Sequence, residues 1–313
     1  MAVKVLITGG CGFIGSHISE LLASKGYEVV VVDNLCTGNY CSSAYPISYY
    51  ELDYISPKIK EVFEKERPDY VIHLAAQVDI NTSMENPVYD AEVNLLGTVK
   101  LLQICRIYNV KRFIFASTSA VYGDLGLKTA DELSPLNPIS FYGISKLASE
   151  MYIKQFNEQF QLPYTIFRYS NVFGLRQRSD NEGGVIPIFV KHLSSGTIPL
   201  IYGDGKQTRD FIHVNDVARA NLLAIEKEID DVMNISSMTA TTINHLYNLI
   251  VKYFETGVEP VYIHRRQGDI LFSRLDNSKA EKLLGWKPHY QVDEGIREMI
   301  QAVTVNIKEG NDI

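Results

Sequence analysis

Residues 4–17 read Lys-Val-Leu-Ile-Thr-Gly-Gly-Cys-Gly-Phe-Ile-Gly-Ser-His. A short apolar strand runs into a glycine-rich turn, and an apolar-periodic helix is predicted from Gly12 to about Lys25. Glycine allows the tight turn, brings backbone N–H groups close to an anion, and lets the helix pack against the strand. The helix N-terminus adds partial positive charge. This layout cradles a pyrophosphate, with Gly9, Gly12, Phe13, Ile14 and Gly15 as the expected contacts.

The next strand supplies the companion signal. Glu28 is followed by four valines, then Asp33 and Asn34. An unbroken valine run reads as a strand buried on both faces, as in a parallel sheet. A carboxylate at its C-terminal end accepts from both ribose hydroxyls of an adenosine and repels a 2′-phosphate. NAD is therefore expected as cofactor, and NADP is not.

Strand and helix then alternate. Further strands are predicted over Ser48–Leu52, Tyr70–Leu74, Lys111–Ser117 and Tyr164–Arg168, and helices over Pro57–Arg67, Pro87–Tyr108 and Tyr142–Gln159. The fold class is α/β, a Rossmann-type doubly wound parallel sheet with helices on both faces. After Asn171 the pattern loosens, and a smaller, discontinuous C-terminal α/β lobe is expected. Residues 1–172, completed by about 208–236, form the first domain, and 173–207 with 237–313 form the lobe.

Net charge is −7 over 313 residues, so no global basic footprint points to nucleic acid. No apolar run approaches the roughly 20 residues that span a bilayer, and the N-terminus has no secretory pattern. Cys11, Cys36, Cys41 and Cys105 show neither disulfide-scaffold nor zinc spacing. They read as free thiols in a cytoplasmic protein, and no metal site is expected.

Tyr142 and Lys146 stand four residues apart, on one face of a predicted helix. A phenol serving as general base at neutral pH needs a pKa about 3 units below its usual value, or roughly 4 kcal/mol. An exposed ion pair contributes only about 0–1 kcal/mol. The shift thus calls for a desolvated site with Lys146 and a second positive charge, such as an oxidised nicotinamide, close by. Upstream, an apolar strand ends in Ser117, Thr118 and Ser119, whose hydroxyls can bond a substrate alcohol or cap a turn.

Together with the glycine loop, three further segments carry a resemblance over essentially the whole chain. They are Ser-Thr-Ser-Ala-Val-Tyr-Gly at 117–123, Arg-Tyr-Ser-Asn-Val-Phe-Gly at 168–174 and Arg-Asp-Phe-Ile-His-Val at 209–214. The chain resembles the extended short-chain dehydrogenase/reductases, and most closely their nucleotide-sugar 4-epimerases of the UDP-glucose/UDP-N-acetylglucosamine type. The resemblance implies Thr118 as the catalytic hydroxyl, with Ser117 and Ser119 as weaker candidates. It implies cofactor contacts at Asn34, Asp53, Tyr54, Leu74, Ala75, Ala76, Asn94, Ser117, Tyr142 and Lys146. Substrate contacts are implied at Thr118, Tyr142, Asn171, Gly184, Val185, Arg209, Arg266, Asp269 and Ser273. Arginine forks suit phosphate oxygens and a carboxylate suits ribose hydroxyls.

Two departures refine the expectation. Family dehydratases and decarboxylases place a carboxylate just after the catalytic Thr, where this chain has Ser119 and Ala120. Neither can act as the acid or base of an elimination, so simple redox inversion at C4 is favoured. Small residues at Ser273 and Gly184 suggest room for an N-acetyl group. His213 is expected to bond locally, and Trp286 to be structural. A UDP-glucuronate 4-epimerase, a nucleotide-sugar 4-ketoreductase and a non-catalytic NAD sensor remain as rivals. The family usually dimerises through two helices per subunit, here Pro87–Tyr108 and Tyr142–Gln159.

Overall fold

The computed structural model describes residues 3–38, 43–179, 184–254, 258–265 and 270–309, with side chains described as far as 304. Its strands are β1 (Lys4–Thr8), β2 (Glu28–Asp33), β3 (Ile47–Glu51), β4 (Tyr70–His73), β5 (Arg112–Thr118), β6 (Tyr164–Tyr169), β7 (Asn171–Phe173), β8 (Leu200–Tyr202), β9 (Thr208–His213), β10 (Asp231–Ile235), β11 (Ala240–Thr242) and β12 (Val261–Ile263). Seven of them form one sheet in the order β10-β6-β5-β4-β1-β2-β3, parallel at every pairing. The fold class matches the expectation.

Period-2 alternation sorts the strand residues into two cores. Val5, Ile7, Val29, Val31, Ile72 and Phe167 face one side, against helices Phe13–Ser24 and Val214–Lys227. Leu6, Val30, Val32, Val71, Phe113, Phe115 and Ile166 face the other, against helices Ile59–Glu66, Gly97–Ile107 and Phe141–Phe160. This is why the valine run of β2 is uninterrupted: both of its faces are covered. A third core joins Phe173, Phe189, Phe211, Leu246 and Ile296. It lies under the three-stranded sheet β11-β9-β7, whose short strands fall in the loosely patterned region.

The chain runs outward from β1 to β3, then crosses back and places β4 on the other side of β1. The strand order therefore reverses between β1 and β4. In such sheets the ligand crevice opens beyond the C-terminal strand ends at that reversal. The glycine turn after β1 and Leu74–Ala76 after β4 flank it.

The helix predicted over Pro87–Tyr108 departs from regularity. It consists of Pro87–Asp90, a π turn at Ala91–Leu96 and Gly97–Ile107. The π turn contains Asn94, whose amide is fully engaged in buried bonds described below.

One expectation fails. Cys11 is disulfide-bonded, while Cys36 and Cys105 are free. Sequence spacing could not reveal this, because a disulfide depends on distance in space.

Candidate active site

The glycine turn is shaped by contacts that leave no room for side chains. Gly9 has φ +73°, and a Cβ there would lie 2.7 Å from the Ala75 nitrogen. A Cβ on Gly15 would lie 2.1 Å from the Gly9 carbonyl. Gly12 differs, since a Cβ would meet only the Gly9 carbonyl, at 3.3 Å. It is also the N-cap of helix Phe13–Ser24 and makes no side-chain cap bond. The first N–H groups of an α-helix lack intrahelical acceptors. The loop and the first helical turn therefore offer backbone donors without intrahelical acceptors, which fits a dinucleotide pyrophosphate.

Asp33 ends β2 with its carboxylate buried at the loop. Oδ2 accepts from the Cys11 N–H at 2.9 Å and Oδ1 from the Leu35 N–H at 2.9 Å. Asn34 donates through Nδ2 to Asp53 Oδ2 at 3.1 Å, so two predicted cofactor residues meet. Tyr54 turns inward instead. Its ring packs 4.9 Å from His73 and its hydroxyl donates to the Val93 carbonyl. The phenol is thus committed to the core, and a cofactor contact from Tyr54 would be left to its backbone.

Asn94 is committed as well. Its Oδ1 accepts from the Gln77 N–H at 2.9 Å, and its Nδ2 donates to the Gln77 carbonyl at 2.8 Å and to the Asp90 carboxylate. It ties the loop after β4 to the π turn. Below it, His73 bridges Thr8 at 2.7 Å and Thr98 at 3.0 Å. Burial pushes the His73 imidazole well below its usual pKa, so the ring is neutral.

The three residues expected to react come together at the end of β5. Ser140 caps helix Phe141–Phe160 by accepting from the Gly143 N–H at 3.1 Å, which sets Tyr142 in the first turn. Thr118 Oγ1 accepts from the Ala120 N–H at 3.1 Å, and the same hydroxyl acts on the Tyr142 phenol as a neighbour that lowers its pKa. Ser119 and Ala120 enter the single 3₁₀ turn Ser119–Tyr122, leaving no carboxyl group there. Lys146 is buried, donates to the Ala116 carbonyl at 3.0 Å and sits 4.8 Å over the Phe115 ring.

The electrostatics differ from the simplest expectation. Burial pushes the Tyr142 phenol up to about 12, against the lowering effect of Thr118. Burial also pulls the Lys146 ammonium down to about 8. Without a ligand the pair is therefore a neutral phenol beside a weakened ammonium. Both shifts run against a phenolate at neutral pH.

Ser117 faces away from the crevice. Its hydroxyl donates to Glu150 Oε1 at 2.5 Å. Glu150 also receives Arg168, through Nε at 3.0 Å and Nη2 at 2.6 Å, and Arg168 Nη1 donates to Tyr122 Oη at 3.0 Å. Tyr122 in turn donates to Asn234 of β10 at 2.7 Å. Sequence reasoning assigned no role to Glu150 or Asp90. The available signal was spacing: Glu150 falls four residues after Lys146, on the same helix face.

On the lobe side, Asn171 opens β7, which pairs with the β9 strand carrying Arg209. Arg209 Nη1 donates to the carbonyls of Thr208 at 2.9 Å and Ile270 at 2.7 Å. That brings it against the segment leading to half-buried Ser273; Arg266 and Asp269 lie outside the described residues. Val185 begins helix Val185–Ser194, with Gly184 as N-cap. The space beside Gly184 is not open: a Cβ would lie 2.8 Å from the Gln177 amide nitrogen. His213 bonds locally, accepting from the Asn215 N–H at 3.3 Å and stacking 4.1 Å from Tyr290. Trp286 is buried and donates to the Asp216 carbonyl at 2.9 Å.

The family model "NAD dependent epimerase/dehydratase family" matches residues 5–236. A relative from Methanocaldococcus jannaschii is 41% identical over 303 residues, spanning 96% of this chain and 99% of its own. The crystal structure of UDP-glucose 4-epimerase with UDP-glucose from Thermotoga maritima superposes with a TM-score of 0.95 at 39% identity, covering 97% of this chain and all of that one. UDP-N-acetylglucosamine 4-epimerase from Methanobrevibacter ruminantium, in complex with UDP-N-acetylmuramic acid, gives 0.92 at 34%, covering 98% and 100%.

Proposed function

Because this chain belongs to the NAD dependent epimerase/dehydratase family, we propose that it inverts C4 of a UDP-hexose through a transient 4-keto sugar. The substrates on this reading are UDP-glucose and UDP-galactose, together with their N-acetylhexosamine counterparts. The arrangement that carries it is Thr118 acting on the Tyr142 phenol at the end of β5, with Lys146 buried one turn further on and no carboxyl group directly after Thr118.

NAD, when bound, supplies a reversible hydride acceptor for C4. The glycine loop and the first turn of helix Phe13–Ser24 hold its pyrophosphate, and Asp33 holds its adenosine ribose. Tyr142 takes the proton of the 4-hydroxyl, and Thr118 orients that hydroxyl. Lys146 contributes positive charge beneath the phenol. Asn171, Val185, Arg209, Arg266 and Asp269 anchor UDP, leaving the flat keto sugar free to turn over. Tyr142 then returns the proton on the opposite face. Residues 1–172 with about 208–236 serve the dinucleotide, and 173–207 with 237–313 serve the nucleotide sugar.

The N-acetyl part of the reading rests on Ser273, since Gln177 fills the space beside Gly184. A homodimer is also part of it. Val88, Leu96 and Ile107 on one helix run, and Ile144, Met151 and Phe160 on the other, expose apolar side chains. Paired helices with such faces are a natural self-association surface. A cytoplasmic location is also part of the reading; the free thiols of Cys36 and Cys105 support it and the disulfide at Cys11 counts against it.

The test is proton NMR of the purified protein with UDP-glucose and, separately, UDP-N-acetylglucosamine, with no dinucleotide added. The galacto epimer of each is expected. Turnover of UDP-glucose alone would remove the N-acetyl part. No epimer from either, even with added NAD⁺, would overturn the reading.

A further inference from the structure

Asp90 is a buried carboxylate beside the reactive pair that no step above uses. It closes the short helix Pro87–Asp90 just before the π turn. Both its oxygens accept from Ser145 Oγ, at 3.2 and 3.0 Å, and from Asn94 Nδ2, at 3.1 and 3.0 Å. Ser145 lies between Tyr142 and Lys146 in the chain, and the Tyr142 carbonyl, 3.0 Å from its Oγ, competes with Asp90 for the one hydroxyl proton. Asp90 thus joins the turn that carries both reactive groups to the loop after β4, through Asn94 and Gln77.

These hydrogen-bond partners of Asp90 are neutral. A buried carboxylate is costly unless a charge compensates it. The nearby charges show where compensation lies. Arg168 forks onto Glu150, so that pair is closed. His73, facing Lys146 from β4, is neutral. Beneath Lys146 lies the Phe115 ring, and its nearest acceptor is the uncharged Ala116 carbonyl. Asp90 makes no ion pair within 4.0 Å of Lys146 among the described residues, yet with Glu150 already forked by Arg168 it is the carboxylate without a cationic partner of its own that acts on Lys146.

We propose that Asp90 is a positioning residue for the Tyr142–Lys146 pair. Its charge keeps Lys146 an ammonium in a buried site, and its bonds to Ser145 fix the helical turn that bears both groups. This rests on the reading of Tyr142 as the base. The electrostatics run the same way. Burial lowers Lys146, and of the two carboxylates that oppose it Asp90 acts more strongly than Glu150. Asp90 also disfavours the Tyr142 phenolate, so the base stays protonated until further positive charge enters the site. Its own carboxyl is pushed up by burial and drawn back by Ser145, Asn94 and Lys146.

The experiment is an NMR titration of ε-¹³C-lysine protein without added substrate, with the Lys146 signal assigned by Lys146→Met. Asp90→Asn is expected to lower the Lys146 midpoint by about one pH unit, the scale of one charge removed from a partly screened site. Ser145→Ala, which keeps the charge and removes the bond, is expected to leave it in place. Asp90→Ser carries the same expectation if the Asn variant does not fold. In turnover, Asp90→Asn should lower kcat near pH 8 severalfold and leave KM unchanged. An unmoved Lys146 midpoint in the Asp90 variants, or an equal shift in Ser145→Ala, would overturn the proposal. Loss of the epimerase reading alone would leave the lysine titration intact, so the two failures are distinguishable.

Discussion

Arg168 and Glu150 form a buried fork in which Nη2 lies 2.6 Å from Oε2 and Nε lies 3.0 Å from Oε1. The pair fastens the middle of helix Phe141–Phe160 to β6, and Ser117 and Tyr122 complete its hydrogen bonds. Breaking one side of a buried pair leaves an uncompensated charge and costs about 3–5 kcal/mol, whereas replacing both with apolar groups is often near neutral. Glu150→Leu alone should therefore destabilise strongly in urea unfolding. Glu150→Leu with Arg168→Met should recover much of the loss. Equal destabilisation in the single and double variants would show that the fork contributes packing rather than charge balance.

What was legible in the sequence was what period and local chemistry determine. The valine run gave the buried strand, the glycine turn gave the cradle, and Tyr142 with Lys146 gave one helix face. The rest depends on contacts between distant segments. Asn94 and Ser117 fall on family cofactor positions, yet their side chains are spent on Gln77, Asp90 and Glu150. Asp90 looks like any polar residue near a helix start until Ser145 arrives from 55 residues away. Arg168 did leave a trace, being a charge inside an apolar strand. The widened turn at Ala91–Leu96 is invisible to periodicity, since it inserts a π turn into an otherwise helical pattern.

Tyr142→Phe removes the hydroxyl and keeps the ring. General acid–base groups contribute roughly a hundredfold to ten-thousandfold. Epimer formation should fall by at least that lower factor, while the cofactor absorbance of the purified protein is retained. Substantial residual turnover would take the base role away from Tyr142.

Lys146 is expected to leave a signature in stability against pH. Its folded pKa is about 8, below the ordinary value of 10.5. Between those values the unfolded chain binds a proton that the folded chain does not, so Lys146 makes stability rise with pH across that window. Below about pH 8 both states are protonated and the burial cost is paid in full. Lys146→Met should flatten the rise between pH 8 and 10 in denaturant midpoints. An unchanged slope would mean the amine reaches solvent.

Gly15→Ala is the sharpest probe of the cradle. The added methyl would lie 2.1 Å from the Gly9 carbonyl, so the turn and helix Phe13–Ser24 must part. Overpacking of this kind costs about 1–3 kcal/mol. Dinucleotide content should drop with it, because the backbone donors move as a unit. A variant that melts normally and still purifies with full cofactor absorbance would show that the loop is more yielding than its contacts imply.

The two helix runs beside the active site make the last prediction. Met151 is 64% exposed and Val88 66% exposed. Met151 lies two turns after exposed Ile144 on one face of helix Phe141–Phe160; large apolar side chains scattered singly are ordinary, but several on one face are less so. Met151→Glu places a charge in that face and leaves the buried side of the same helix untouched. Sedimentation velocity should show a dimer for the parent chain and a monomer for the variant. The helix carrying Met151 also carries Tyr142 and Lys146, so any fall in turnover on dissociation would report how far the interface steadies the catalytic turn. A monomeric parent chain would remove the dimer from the proposed function and leave the apolar face to another role.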